Sequence, residues 1–374
     1  MKTQSVMFIA GDPSGDLHAA PIIKKLREKC PDVKTWGIGG PAMAKVGFQQ
    51  VLPFEKFNCM GYAEVIKHLP FFLKAKKTLV KIMKEQRPQT LVCVDYPGFN
   101  MPMLKEAAKL KIPVIWYIAP MVWAWKAKRA KTLGAYASHI AVIFPFEVPY
   151  FSSFKAPVTF VGNPLTESLP AIKNKNEKSP TDKTFRLAVI PGSRYQEIKN
   201  MLPVMLEAVD ILKKEHPQLK VTISAFKGVS HELFEEAEAK GSELFSGELW
   251  ELLTKSDMAL VTSGTASLET ALMGVPMVIT YRTSALTYNI VKSLIKIPYI
   301  GLPNIIAQTQ IVPECIQDGA NAQNLADKLN RFIKEPVYRE EAAEKLSALR
   351  AKLGEKKPSG EVANIIVNYL ENSQ

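Results

Sequence analysis

The feature that most constrains this chain is a pattern that runs twice. In the first half, short apolar runs ("SVMFIA", "TWGIG", "TLVCVD", "PVIWYIA", "HIAVIF", "VTFVG") alternate with helix-like segments at 16–29, 61–86, 100–110 and 145–154. Continuous apolar strands, as opposed to half-polar ones, are what a sheet covered on both faces requires. Strands that take turns with helices build a parallel sheet with right-handed crossovers. The pattern lapses in "NPLTESLPAIKNKNEKSPTDK", 163–183, which loses hydrophobicity and gains Pro, Lys and Asn. It restarts with "RLAVI", a helix over 195–214, "KVTISA", "MALVTS", a short helix and "PMVITY", and helical periodicity closes the chain from 323 onward. The length of 374 residues also fits two cores better than one.

The expected fold is therefore α/β. Residues 1–162 form one Rossmann-like domain, 163–183 a linker, 184–335 a second Rossmann-like domain, and 336–374 helices that pack back toward the first. Two such domains are expected to face a central cleft, with ligand at the carboxyl ends of their strands.

Bulk properties narrow the function. Hydrophobic content of 47% and charged content of 22% are those of a soluble globular protein. The cysteines (Cys30, Cys59, Cys93, Cys315) lack metal or disulfide spacing, which suits a reducing compartment. No secretory signal is read, and no stretch reaches the roughly 18 apolar residues of a spanning helix. A cytosolic protein, or one lying on a membrane from the cytosolic side, is expected. The net charge of +12 favours phosphorylated substrates, anionic lipid or nucleic acid as partners. Residues 61–87 concentrate it, with seven Lys/Arg against two Glu.

Several strand-to-helix turns carry the chemistry. In "VTSGTASLETALMGVP", 261–276, a strand enters a helix through Ser263, Gly264 and Thr265. Unsatisfied N–H groups and the helix dipole there favour phosphate. Glu269, about one turn in, repels phosphate but can accept hydrogen bonds from ribose hydroxyls, so a nucleoside diphosphate fits the stretch. An ordinary capped helix with Glu269 on a wet face fits it equally. "AVIPGSR" ends a buried strand and delivers Arg194, which can grip phosphate oxygens bidentately or be a surface arginine after a capping turn.

"AGDPSGD", 10–16, is the first turn, where small residues let a sugar or diphosphate approach. The plainer reading makes Ser14 or Asp16 a helix cap. "GIGGPA" follows the second strand, not the first, and Pro41 looks like the first residue of a helix, so NAD is rejected. "VDYPGFN" sets Asp95 just past a buried strand, as a capping residue or as a general base. No two aspartates stand in an Asp-x-Asp metal clamp and no histidines show zinc spacing, so no metal and no cofactor are expected. A leaving diphosphate would then be neutralised by helix termini and Arg or Lys.

The motifs "AGDPSGD", "MGYAEVIKHLP", "VDYPGFN", "APMVWAWK", "PGSRYQEI", "SGTASLE", "YR" and "GLPNIIA" together resemble, in order from about residue 8 to 310, the lipid A disaccharide synthase family. The resemblance implies a peripheral glycosyltransferase of the GT-B fold on the cytoplasmic face of the bacterial inner membrane. It implies transfer of 2,3-diacylglucosamine from UDP-diacylglucosamine to diacylglucosamine 1-phosphate. It puts the family's base on Asp95, its phosphate-gripping arginine on Arg194, and its nucleotide-binding residues on Ser263, Gly264, Thr265 and Glu269. The asparagine of the Leu-Pro-Asn loop is Asn304, and Ser14 joins the UDP-sugar set. Two departures stand out: the first turn reads Gly11-Asp12-Pro13 where the family has Gly-Glu-Ala, and Gly98 replaces a second acid.

Substrates with two acyl chains require a site beside a bilayer. In "EVIKHLPFFLKAKKTLVKIMK", Val65, Ile66, Leu69, Phe71, Phe72 and Leu73 form an apolar cluster, with lysines available for anionic headgroups. A core helix is the competing reading, but adjacent Phe71, Phe72 and Leu73 span too wide an arc for one buried stripe, so at least one is expected to be exposed. Oligomerisation is left open. Rival functions are another GT-B UDP-sugar enzyme, such as a non-hydrolysing UDP-N-acetylglucosamine epimerase, and a basic nucleic-acid-binding protein. The second has no recognition motif in its favour, so nucleic acid is not expected as a partner.

Overall fold

Apolar residues of the first strand alternate between two cores. The computed structural model describes residues 4–57, 68–120, 127–170 (127 and 128 by backbone alone), 184–226, 228–283, 288 and 298–372. The chain divides into two units, Met1–Glu167 with Glu355–Gln374, and Ser168–Gly354. This assigns the start of the expected linker and the last helix to the first unit.

The first unit runs β1 (Ser5–Ala10), α1 (Pro13–Lys29), β2 (Lys34–Ile38), α2 (Pro41–Lys45), β3 (Gln49–Gln50), α3 (Leu69–Gln86), β4 (Thr90–Val94), α4 (Pro97–Lys109), β5 (Val114–Tyr117), α5 (Ala127–Tyr136), β6 (His139–Val142), α6 (Glu147–Phe151), β7 (Val158–Phe160) and α7 (Pro164–Ser168). Its seven strands form one parallel sheet in the order β3-β2-β1-β4-β5-β6-β7. Met7 and Ile9 point into one core, with Leu79 and Met83 of α3 and Met103 and Leu104 of α4. Val6, Phe8 and Ala10 point into the other, with Ile22, Ile23 and Leu26 of α1. That period of two with both faces apolar is why the strands read as unbroken hydrophobic runs. Gly37 in β2 has φ +138°, and a Cβ there would collide with the carbonyl oxygen of Phe8. The glycine of "GIGGPA" thus serves strand packing.

The second unit runs β8 (Arg186–Ile190), α8 (Tyr195–Glu215), β9 (Lys220–Ser224), α9 (Glu235–Ala239), β10 (Glu243–Phe245), α10 (Leu249–Thr254), β11 (Met258–Thr262), α11 (Thr265–Leu272), β12 (Met277–Tyr281), α12 (Leu302–Ala307), β13 (Glu314–Ile316), α13 (Ala322–Lys334) and α14 (Pro336–Leu353). Its parallel sheet is ordered β10-β9-β8-β11-β12-β13. Leu187, Val189 and Leu260 share a core with Met205 and Val209 of α8 and Leu329 and Phe332 of α13.

The chain then returns to the first unit. α15 (Pro358–Glu371) lies along α1, burying Val362, Ile366 and Leu370, and the Tyr369 hydroxyl donates to the Ser138 carbonyl at 2.7 Å. α14 instead packs on α11, α12 and α13 within the second unit.

Candidate active site

Each sheet reverses its winding at one place. In the first unit that point lies between β1 and β4, which pair up to Ala10 and Val94. In the second it lies between β8 and β11, where Ile190 pairs with Val261. Loops leaving the sheet at such a point splay to opposite faces and leave a crevice for a ligand. Ser14 and Asp95 lie just past β1 and β4. Arg194 and the Ser263-Gly264-Thr265 turn lie just past β8 and β11.

Asp95 follows β4 directly, with a left-handed backbone, φ 42°, as has Tyr96, φ 49°. Its N–H donates to the Tyr117 carbonyl at 2.9 Å. α4 begins at Pro97, and its cap position is Tyr96, with no side-chain bond. The capping reading of Asp95 therefore has no support in the geometry. Burial above all, and then the negative charge of Asp12, push the Asp95 carboxyl up to about 7, against a hydrogen bond from the Tyr96 backbone. A carboxyl of that proton affinity exchanges a proton readily near neutrality.

The first turn differs from expectation. Asp12, not Ser14 or Asp16, caps α1, accepting from the Gly15 N–H at 2.7 Å. Pro13 fixes the first helical residue, which leaves residue 12 the extended backbone that a cap needs. Ser14 is exposed, its Oγ 3.2 Å from Nε2 of His18. Asp16 is buried and serves α2, accepting from the N–H groups of Gly40, Ala42 and Met43 at 2.8, 2.9 and 3.0 Å. Its 24-residue separation from Gly40 leaves no local signal for this role.

In the second unit, Arg194 occupies the cap position of α8 in extended conformation. Its side chain is 64% exposed and pairs with Glu197 at 2.9 Å. Ser263 donates its N–H to the Thr280 carbonyl and its hydroxyl to the Ile300 carbonyl, each at 3.0 Å. Both Ser263 groups are thus engaged by protein, and Gly264 and Thr265 are the exposed members of the turn. A Cβ at Gly264 would meet open space, so nothing in the protein requires glycine there. Glu269 is half-buried, which removes the wet-face reading. Burial first, and then the charge of Glu248, push its carboxyl up to about 7, against a hydrogen bond from the Trp250 backbone.

Asn304 calls for a correction. It is fully buried; its amide nitrogen donates to the Val312 carbonyl at 2.9 Å and to Glu314 at 2.7 Å, and its oxygen accepts from the N–H groups of Ile311 and Val312 at 2.8 and 3.0 Å. With both side-chain polar atoms occupied, the amide shapes its loop and is not available for direct contact with UDP. Glu314, unremarked in the sequence, completes the knot by accepting from the N–H groups of Ile300 and Gly301 at 2.9 and 3.0 Å.

A sequence model of the lipid-A-disaccharide synthetase family matches residues 6–366. The lipid-A-disaccharide synthase of Geobacter metallireducens is 35% identical over 372 residues, covering 98% of this chain and 97% of the relative. That of Chromobacterium violaceum is 37% identical over 346 residues, 89% of each. This chain belongs to the lipid-A-disaccharide synthase family. The enzyme is accordingly a glycosyltransferase of lipid A biosynthesis. Solved structures agree on the GT-B fold: the S. aureus MnaA–UDP co-structure matches with TM-score 0.65 at 15% identity over 98% of this chain and 97% of that one. The kitacinnamycin glycotransferase matches with TM-score 0.65 at 16% identity over 99% and 100%.

The segment expected to meet the membrane divides, among its described residues, into packed and exposed side chains. Val65 and Ile66 lie outside the described residues. Phe71 and Phe72 are half-buried, their rings 5.0 and 5.9 Å from that of Phe57. Leu69 and Leu73 are 51% and 54% exposed. They continue at i, i+4 spacing into exposed Lys77 and Lys81, with Lys74 and Lys84 alongside. Lys76 pairs with Glu106 at 2.9 Å, and Lys81 approaches Glu85 at 3.9 Å. Among the described residues no helix is long and apolar enough to cross a membrane.

Proposed function

We propose that the enzyme transfers 2,3-diacylglucosamine from UDP-diacylglucosamine to diacylglucosamine 1-phosphate, inverting the anomeric centre and releasing UDP. Asp95 takes the proton of the acceptor 6-hydroxyl as its oxygen bonds to the anomeric carbon and the bond to UDP breaks. Arg194 and the start of α11 at Gly264 and Thr265 stabilise the charge that grows on the diphosphate, and Glu269 holds the ribose. No metal and no cofactor enter the step. The observation that carries the reading is Asp95 itself, a carboxyl held near neutrality at a switch point and excused from capping duty.

Membrane docking belongs to the same reading. Leu69 and Leu73 enter the lipid, each worth about 1.5–3 kcal/mol when fully buried, and the lysines of α3 face anionic headgroups on the cytoplasmic side. The deciding experiment follows UDP release from UDP-diacylglucosamine with and without the lipid acceptor, in the presence of chelator. Acceptor-dependent release of UDP with the β-linked disaccharide as product supports the proposal. Release without acceptor, an α-linked product, or a strict need for Mg²⁺ would overturn the corresponding part.

A further inference from the structure

The carbonyl oxygens of Ile9, Val94 and Asp95 converge on one side chain. Asn100, early in α4 and fully buried, turns its amide nitrogen to all three, at 3.3, 3.4 and 2.8 Å. The orientation of the amide is forced, because exchanging its oxygen and nitrogen would set an oxygen against three carbonyls. Its own Oδ1 is buried and has no hydrogen-bond partner among the described residues.

What the amide secures is local. Asp95 is a non-glycine residue in the left-handed region, followed by another, Tyr96. Such a backbone persists only where its surroundings over-determine it. Here Asp95 is held on both sides: its N–H by the Tyr117 carbonyl at 2.9 Å, its carbonyl by Asn100 at 2.8 Å. Tyr96 is held in turn, its hydroxyl donating to the Phe57 carbonyl at 2.7 Å and its ring filling the space that a side chain at Gly11 would need. Released from Asn100, Asp95 could relax to an ordinary backbone region, and its carboxyl would leave the crevice between β1 and β4.

We propose that Asn100 is a positioning residue for the transfer reaction: by donating to the Asp95 carbonyl it fixes the left-handed turn that presents the Asp95 carboxyl at the switch point. The proposal rests on the reading of Asp95 as general base, and Asp95→Asn alone tests that reading.

The experiment is a double-mutant cycle in the full-length enzyme. Asn100→Ala should lower kcat about tenfold or more while KM for the UDP-sugar donor changes less than about twofold, the pattern of an interaction that matters in the transition state. Adding Asn100→Ala to Asp95→Asn should then cost no further rate, because the group it positions is already gone. A residue that merely holds the core together would lower the rate in both backgrounds. Equal factors in the two backgrounds, or normal kcat in Asn100→Ala, would overturn the proposal. Asn100→Ser, which keeps one donor, guards against a folding failure of the alanine variant and should fall between it and wild type. Loss of cooperative folding in both variants would make Asn100 a stability residue and would equally overturn the proposal. Full activity of Asp95→Asn would instead remove the base assignment on which it rests.

Discussion

Asp12 and Asp95 leave neighbouring strands at the same end of the first sheet, and the negative charge of the first helps keep a proton on the second. The dominant cause is burial of Asp95, and Asp12 adds to it. The pair makes the pH dependence of the enzyme a direct probe of the site.

As a base, Asp95 works only when ionised. The kcat of the enzyme should rise with pH through about 7 and level off above it. Asp95→Asn should retain UDP binding and lower kcat about a hundredfold or more. A pH–rate profile on both proteins, flat for the variant, checks this.

The same shift has a cost in stability with an opposite sign to that of a salt-bridged carboxylate. Between the ordinary aspartate value of 3.8 and about 7, the folded protein holds a proton that the unfolded chain has released. Stability therefore falls as pH rises across that window, by at most about 1.4 kcal/mol per pH unit from this group. Asp95→Asn removes the effect, so urea denaturation should find the variant more stable than wild type at pH 8 and nearly equal at pH 4.

In the second unit, Glu269→Ala should weaken UDP binding at pH 8, where the Glu269 carboxyl is ionised, by about 1.5–3 kcal/mol, the worth of a hydrogen bond to a charged group. Arg194→Ala should lower kcat more than it weakens UDP, because the leaving-group charge is largest in the transition state. Calorimetric titration with UDP, alongside steady-state kinetics, separates the two effects.

On α3, neighbouring apolar residues should respond oppositely. Serine at the exposed Leu69 and Leu73 should move the enzyme from vesicle pellet to supernatant with its thermal transition unchanged. Serine at Phe71 and Phe72, whose rings both pack on Phe57 and, for Phe72, on Phe99, should destabilise the fold. Sedimentation with anionic vesicles and a melting curve on each pair distinguish docking from core.

Gly98 lies in the first turn of α4 with open space where a Cβ would stand. Gly98→Asp should therefore fit and stabilise the protein by about 0.5–1.5 kcal/mol, combining the gain over glycine within a helix with an acid at its N-terminus. Chemical denaturation measures it.

Some of this was legible in order along the chain. Unbroken apolar runs such as "TLVCVD" and "MALVTS" disclosed strands covered on both faces, and the turn residues after them marked Asp95, Arg194 and Ser263-Gly264-Thr265. These depend on local periodicity and on which end of a strand meets a helix, and a sequence records both directly. Tertiary structure decided which polar side chains are already occupied. Asp16 looked like the cap of its own helix and serves α2 instead, Ser263 is bound to the carbonyls of Thr280 and Ile300, and Asn304 to the returning loop at 311–314. Tertiary structure likewise divided α3, turning Phe71 and Phe72 toward Phe57 and leaving Leu69 and Leu73 outside. The proton affinities of Asp95 and Glu269 belong to the same class, since burial and a distant like charge set them. Residue type and spacing fix what a side chain can do, but its free valences and its dielectric surroundings depend on partners that only the folded chain brings near.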